Sequence, residues 1–250
     1  MPEHKTGTRE ELLAASKDLH EREEEIGKLS AKLTEDRRRL PWVKVTKNYS
    51  LETDRGVRTL SDLFDGRSQL LVYHMMFGTD WTAACPACSA LVDHFDPMLP
   101  HLNARDVTLI CVSHAPLEKL QAYRRRMGWK VDCVSSFRSD FNYDFGASTK
   151  KEQQAEIARE VLPQFEGNEE IAKAAASVGK DVAGYVTTEA PGIDTFTKEP
   201  DGTIYHTFTS VPWGEVLIGY LQMLERVPRP GPEGFIFLRH DEYASAAAKR

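Results

Sequence analysis

Cysteine is scarce in this chain, with four in 250 residues: Cys85, Cys88, Cys111 and Cys133. That scarcity excludes a disulfide-built scaffold, which carries cysteine far more densely. Also missing is any apolar run of about 18 residues, the length an ordinary membrane helix needs. The opening Met1-Pro2-Glu3-His4-Lys5 leads into a charged stretch and lacks the apolar segment of a secretory signal. There is no surplus of positive charge either: 32 Lys and Arg stand against 38 Asp and Glu, a net charge of −6. A phosphate-binding surface is therefore disfavoured. Arg37-Arg38-Arg39 and Arg124-Arg125-Arg126 come without an aromatic platform or a basic face. The expectation is a soluble, cytoplasmic protein with no nucleic-acid or membrane partner.

What is present falls into three stretches. Residues 1–41 form a helical arm: between Thr8 and Leu40 there is no proline and one glycine, Gly27. Thr8 and Glu11 have the spacing of a capping box. Leu12, Leu19, Ile26, Leu33 and Leu40 recur every seven residues, but Arg22 and Asp36 interrupt the adjoining row. A full coiled coil wants both rows apolar. The pattern predicts a long helix with a narrow apolar stripe, lying on the body of the protein or, in a homodimer, on a second copy. Residues 42–226 then alternate strand and helix patterns. Gln69–Phe77 and Val107–Val112 are nearly continuous apolar runs, suited to strands covered on both faces. A helix is expected from about Cys85 to Met98. Another spans Leu117–Met127, bracketed by Pro116 and Gly128. Two more, Lys151–Phe165 and Glu169–Val178, read as a helical insertion near 150–180. Pro200-Asp201-Gly202 marks a turn between two late strands, and a helix from about Trp213 to Arg226 precedes a Pro/Gly-rich tail, 227–250.

Cys85-Pro86-Ala87-Cys88 sits where a buried strand gives way to a helix. A sulfur at a helix N-terminus faces free N–H groups and the positive end of the dipole, which favour thiolate over thiol. Thiolate is the attacking species in disulfide exchange, and a second sulfur one turn along can attack back. Pro86 is tolerated in the first turn because its missing N–H would have been unpaired there. The other reading of the pair is half a zinc site, which needs two further ligands. Cys111 and Cys133 are far apart, and no histidine of His74, His94, His101 and His114 has ligand spacing to another. No metal or cofactor is expected. Cys111 and Cys133 read as small buried hydrophobes. Trp81 either shields the sulfurs or anchors the loop.

Strand, Cys-x-x-Cys loop, helix, strand, helix, strand, and later a hairpin with a closing helix is the thioredoxin-like order: an α/β fold of three layers, α/β/α, around a mixed sheet. Longer segments carry a closer resemblance. Leu40-Pro41-Trp42-Val43, Leu63-Phe64-Asp65-Gly66-Arg67-Ser68-Gln69-Leu70, Tyr73-His74-Met75-Met76-Phe77-Gly78, Asp80-Trp81, the cysteine pair, Arg125-Arg126-Met127-Gly128-Trp129 and Ser139–Gly146 together resemble the DUF899 family of thioredoxin-like proteins, described as predicted dithiol–disulfide isomerases. The resemblance implies Cys85 as nucleophile, Cys88 as resolving thiol and Pro191 as a cis-proline facing the pair. It also implies a protein or low-molecular-weight disulfide as substrate, with Trp81, Thr82 and Pro86 on the substrate side. Thioredoxin itself has Trp before its first cysteine and Gly-Pro between the two; here Ala84 precedes and Pro86-Ala87 intervenes. Gly78 to Cys85 also partly resembles the peroxiredoxin signature Pro-x-x-x-Thr-x-x-Cys, with Thr82 matching and Gly78 in place of proline. Three functions are thus in view: a thiol–disulfide oxidoreductase, a thiol peroxidase using Cys85 and Thr82, and a thioredoxin-fold binding protein without turnover. Ser139–Gly146, rich in aromatics and carboxylates, is a further candidate for the border of a small-molecule pocket beside Cys85.

Overall fold

Alternating apolar side chains on neighbouring strands define the architecture, because a central strand must bury both of its faces. The computed structural model describes residues 6–210, 218–224, 226–227 and 238–243. The chain divides into two units, Met1–Pro41 and Trp42–Arg250. In the first, helix α1 (Arg9–Arg38) starts at Thr8, whose hydroxyl accepts the Glu11 N–H at 3.2 Å while the Glu11 carboxylate accepts the Thr8 N–H at 2.8 Å. Arg37 and Arg38 occupy its last turn, where cations suit the dipole. Its apolar stripe is open to solvent: Leu12, Leu19, Ile26 and Leu33 are 49–67% exposed.

The second unit holds strands β1 (Val43–Lys44), β2 (Ser50–Thr53), β3 (Gly56–Thr59), β4 (Gln69–His74), β5 (Val107–Ser113), β6 (Asp132–Ser135), β7 (Gly192–Lys198) and β8 (Ile204–Ser210). They form one mixed sheet in the order β1-β8-β7-β4-β5-β6-β2-β3. β4, β5 and β6 run parallel, joined through helices α2 (Pro86–Val92), α3 (Phe95–Asn103) and α4 (Leu117–Met127). β7 returns antiparallel beside β4, and β8 pairs antiparallel with β7 on its other side. Helix α5 (Phe141–Asp144), α6 (Lys151–Val161), α7 (Glu169–Ser177) and α8 (Val182–Thr188) fill the stretch between β6 and β7. A last described helix, α9 (Gly219–Leu224), follows β8. The parallel unit with its returning hairpin is a thioredoxin-like fold.

Along β4 and β5, Tyr73, Leu109 and Cys111 join one core, which holds the cysteine pair and is covered by α2–α4, α7 and α8. Leu70, Val72, Ile110 and Val112 join the other, with Leu51, Phe64, Phe141 and Phe196. Within that second core the His74 ring stacks on Phe141, and Asp194 is buried between His74 (3.0 Å) and His206 (2.6 Å), linking β4, β7 and β8.

Three expectations are revised. The helix foreseen from Cys85 to Met98 is split at Asp93-His94. Pro97 has no N–H to give the Asp93 carbonyl and its ring crowds that group, so the first helix ends at Val92 and a second starts at Phe95. Between β6 and β7 a further helix, α8, follows the two expected there. Of the helix expected from Trp213 to Arg226, only Gly219–Leu224 is described as helical; residues 211–217 and most of the 227–250 tail lie outside the described residues.

Phe141 is fully buried and meets Tyr49 edge-on at 5.1 Å, Phe145 at 4.7 Å and Phe196 at 6.1 Å. Phe141→Ala should lower unfolding free energy by about 3–5 kcal/mol, the range for emptying an aromatic site in a packed core. The urea midpoint, at unchanged slope, is the measurement.

Candidate active site

Strand β4 ends at His74 and delivers the chain into the loop before α2. The loop is fixed where the chemistry needs it: the Cys85 N–H donates to the Met76 carbonyl at 2.9 Å, and the Cys85 carbonyl accepts the Ser89 N–H and hydroxyl, each at 2.9 Å. Cys85 is the N-cap of α2, so its sulfur accepts the Cys88 N–H at 3.4 Å. Pro86 occupies the first turn, as expected. The Tyr185 hydroxyl, from α8, donates to Cys85 Sγ at 2.9 Å. Both cysteines are free thiols, 2% and 3% exposed.

These contacts separate the two sulfurs chemically. Burial pushes the Cys85 thiol up, but hydrogen bonds from the Cys88 side chain, the Tyr185 hydroxyl and the N–H groups of Cys88 and Ala87 outweigh it and bring it down from 9.0 to about 7. Burial and the adjoining Cys85 hold the Cys88 thiol well above its ordinary range. A low-pKa sulfur able to attack therefore lies beside a high-pKa one that keeps its proton.

The sulfurs line a cavity of about 330 Å³. Its other walls are Tyr73, Met76, Ala87 and Leu91 from the core elements, Val161 and Phe165 from the end of α6 and the turn after it, Ile171 from α7, Tyr185 and Val186 from α8, and Glu189-Ala190-Pro191. Glu189 is buried; its carboxylate accepts from the Ser148 hydroxyl at 2.7 Å and lies 3.5 Å from His114 Nδ1. Burial raises its pKa against the pull of His114 and Ser148.

Pro191 thus lines the cavity with the cysteines, but no peptide bond among the described residues is cis. The expected cis-proline is corrected to a trans one. Glu189, two residues before it, is extended and bridges to Ser148, and the Ala190 N–H donates to the Ala147 carbonyl at 2.9 Å, which fixes the backbone leading into Pro191. Trp81 is fully buried and stacks on Tyr185 with ring centres 5.3 Å apart, so it anchors the loop and holds the donor to the sulfur. Thr82 is exposed, packs against Gly179 and is absent from the cavity wall. Ser139–Gly146 does border a cavity, but on the opposite face of the sheet. There Asp144 and Phe145 stand with Lys47, Asp194 and His206, while Tyr143 packs on His114. Its carboxylates serve Lys47, which donates to Asp140 and Asp144 at 2.7 Å each. Cys111 and Cys133 are buried side by side on β5 and β6.

Three contributors were not foreseen. Tyr185 sits on a short helix, Val182–Thr188, in which β-branched residues and Gly184 outnumber good helix formers; its signal is Asp181, which caps the Gly184 N–H at 2.7 Å. Glu189 is one residue removed from the proline that drew attention. Arg239, 2% exposed, reaches in from the far end of the chain, donating to the Ala84 carbonyl at 2.6 Å and the Tyr123 hydroxyl at 2.8 Å. Gly78, the departure from the peroxiredoxin signature, has a local reason: a Cβ there would stand 2.8 Å from the Trp81 indole. Among the described residues no group of three or more His, Cys, Asp and Glu side chains is placed to hold a metal ion, and no helix is long and apolar enough to cross a membrane.

Fold and site together define a thioredoxin-like protein with a Cys-x-x-Cys pair at a helix N-terminus. The chain belongs to the family described as bacterial protein of unknown function (DUF899), whose model matches residues 1–243. Comparison with curated proteins gives no match. Among solved structures, the chain is similar to peroxidoxin BcpB from Mycobacterium tuberculosis, at 14% identity over 76% of this chain and 97% of that one, with a TM-score of 0.44. Peroxiredoxin Q from Xanthomonas campestris is similar at 16% identity over 76% and 97%, with a TM-score of 0.43. A PrxQ variant from Xylella fastidiosa follows at 16% over 72% and 88%, with a TM-score of 0.40.

Removing the Tyr185 hydroxyl takes one donor from the sulfur. Tyr185→Phe should move the Cys85 pKa upward from about 7, read as a shift to higher pH of the midpoint for iodoacetamide alkylation. Gly78→Ala should push Trp81 off Tyr185, giving altered tryptophan fluorescence and a loss of about 1–3 kcal/mol in stability, as for other overpacked sites.

Proposed function

We propose that the protein is a thiol–disulfide oxidoreductase working in a reducing compartment such as the cytoplasm. The observation that carries this reading is the Cys85 sulfur held as a hydrogen-bond acceptor by Tyr185 and the α2 N-terminus, at the wall of a cavity it shares with Cys88. The Cys85 thiolate attacks one sulfur of a substrate disulfide, forming a mixed disulfide and expelling the other half as thiolate. Cys88 loses its proton and attacks the Cys85 sulfur, expelling the second half. The substrate gains two electrons as two thiols, and the protein is left with a Cys85–Cys88 disulfide that an external dithiol must reduce. Trp81 and Pro86 serve in this scheme by placing Tyr185 and starting the helix, and Pro191 by closing the cavity.

The lowered Cys85 thiol speaks against a scaffold without turnover, for which an ordinary thiol would suffice. The peroxidase reading asks for Thr82 at the sulfur. The hydroxyl that reaches Cys85 is that of Tyr185, while Thr82 packs on Gly179.

Cys85→Ser should abolish disulfide reduction, whereas Cys88→Ser should accumulate a mixed disulfide with substrate detectable by mass spectrometry. Full turnover by Cys85→Ser would refute the assignment. In the wild type the rate of Cys85 attack should climb as pH rises through about 7, where its thiolate forms. Reaction with an alkyl hydroperoxide faster than with any disulfide would instead favour the peroxidase.

A further inference from the structure

We propose that the disulfide accepted at Cys85 is a small, uncharged organic molecule whose apolar group fills the cavity, and that the 151–188 helices are the wall imposing that choice. The inference rests on the thiol–disulfide reading above and names its substrate class.

Access comes first. With Cys85 2% and Cys88 3% exposed, the sulfurs do not stand on a surface that a folded protein's disulfide can approach. They are reached through a cavity of about 330 Å³, the lower end of the range that encloses small organic ligands.

The lining decides polarity. Met76, Leu91, Val161, Phe165, Ile171 and Val186 surround the sulfurs with hydrocarbon and thioether. No lysine, arginine or histidine is among the described lining residues, and the single carboxyl, Glu189, is already held by Ser148 and His114. A carboxylate on the substrate would lose its hydration there without gaining a partner, and it would face an acid. Burying an unpaired charge is strongly unfavourable, whereas an apolar group gains by leaving water.

Chain economy points the same way. The helices that supply Val161, Ile171 and Val186 also supply Tyr185, the donor to the Cys85 sulfur. A variant of this fold lacking them would present its cysteines openly and lose that donor. Enclosure and activation of the sulfur thus arrive together, on one inserted segment.

The test uses the full-length reduced protein and four probes: neutral dithiodipyridine, dianionic dithiobis(nitrobenzoate), glutathione disulfide and insulin. Each second-order rate is divided by that of the same disulfide with mercaptoethanol thiolate, which removes intrinsic reactivity. The neutral aromatic disulfide should be favoured over each of the other three by about 10-fold or more, the discrimination that a few buried apolar contacts supply. Phe165→Ala, at a half-buried wall position, should bring the ratios toward unity while its circular dichroism stays that of the wild type. Equal normalised rates for neutral and charged probes, insulin reduced as readily as dithiodipyridine, or an undiminished preference in folded Phe165→Ala would each overturn the inference. Failure of all four disulfides to react at Cys85 would overturn the thiol–disulfide reading itself, so the two failures are distinguishable.

Discussion

One hydrogen bond, from the Tyr185 hydroxyl to Cys85 Sγ at 2.9 Å, organises this molecule's chemistry. A thiolate enclosed by hydrocarbon is unfavourable unless donors replace the water it has lost, and a hydrogen bond to a charged group is worth about 1.5–3 kcal/mol. Tyr185 is itself held in place. Its ring lies on Trp81, four residues before Cys85, and Trp81 fits only because Gly78 leaves room for the indole. At the other end, α8 is started by Asp181, just after Gly179, where Thr82 packs against the backbone. Thr82 also donates its N–H to the Val178 carbonyl at 2.9 Å. Residues 78–85 and 178–188 therefore form one interlocked unit, although nearly a hundred positions separate them.

Behind the sulfurs the same loop is tied from a third direction. Arg239 donates to the Ala84 carbonyl and to the Tyr123 hydroxyl, and that hydroxyl meets Ser89, whose own hydroxyl binds the Cys85 carbonyl. A buried guanidinium without partners would be costly; here Glu242 takes another of its nitrogens at 3.0 Å. The cavity side of Cys85 is thus shaped by α6–α8, and the far side by a late segment of the chain.

These dependencies explain what could be read in advance. β4 and β5 were legible because parallel central strands need continuous apolar runs, and Gln69–Phe77 and Val107–Val112 are such runs. The pair at the strand-to-helix junction was legible because N-capping is local: Cys85, Pro86 and the Cys88 N–H lie within one turn. What was missed depends on distant partners. Tyr185 gains meaning from Trp81 and Cys85, Arg239 from Ala84, and Glu189 from Ser148 and His114, and none of these pairings leaves a local pattern. The division of α2 from α3 was the exception, since Pro97 was in plain view and forbids the bond to Asp93. Ser139–Gly146 misled for a related reason: its aromatics and carboxylates do border a cavity, but the short helix α5 packs Phe141 and Phe145 into the core on the face away from the cysteines.

The four cysteines supply an internal comparison of what makes a sulfur reactive. All are buried, and all belong to the same core. Cys111 lies on β5 opposite Cys133 on β6, and burial with the neighbouring sulfur pushes its thiol well above the ordinary range. Cys88, inside the first turn of α2, is pushed up likewise, although the Tyr73 hydroxyl pulls against the shift. Cys85 ends below the ordinary value, and of the four it alone combines a helix N-cap position with a tyrosine hydroxyl. Burial is common to Cys85 and to Cys88 and Cys111, whose thiols are pushed up, so burial is not what brings a thiol down. The cause is the set of donors, which exists because the start of α2 and the tyrosine of α8 converge on a single atom.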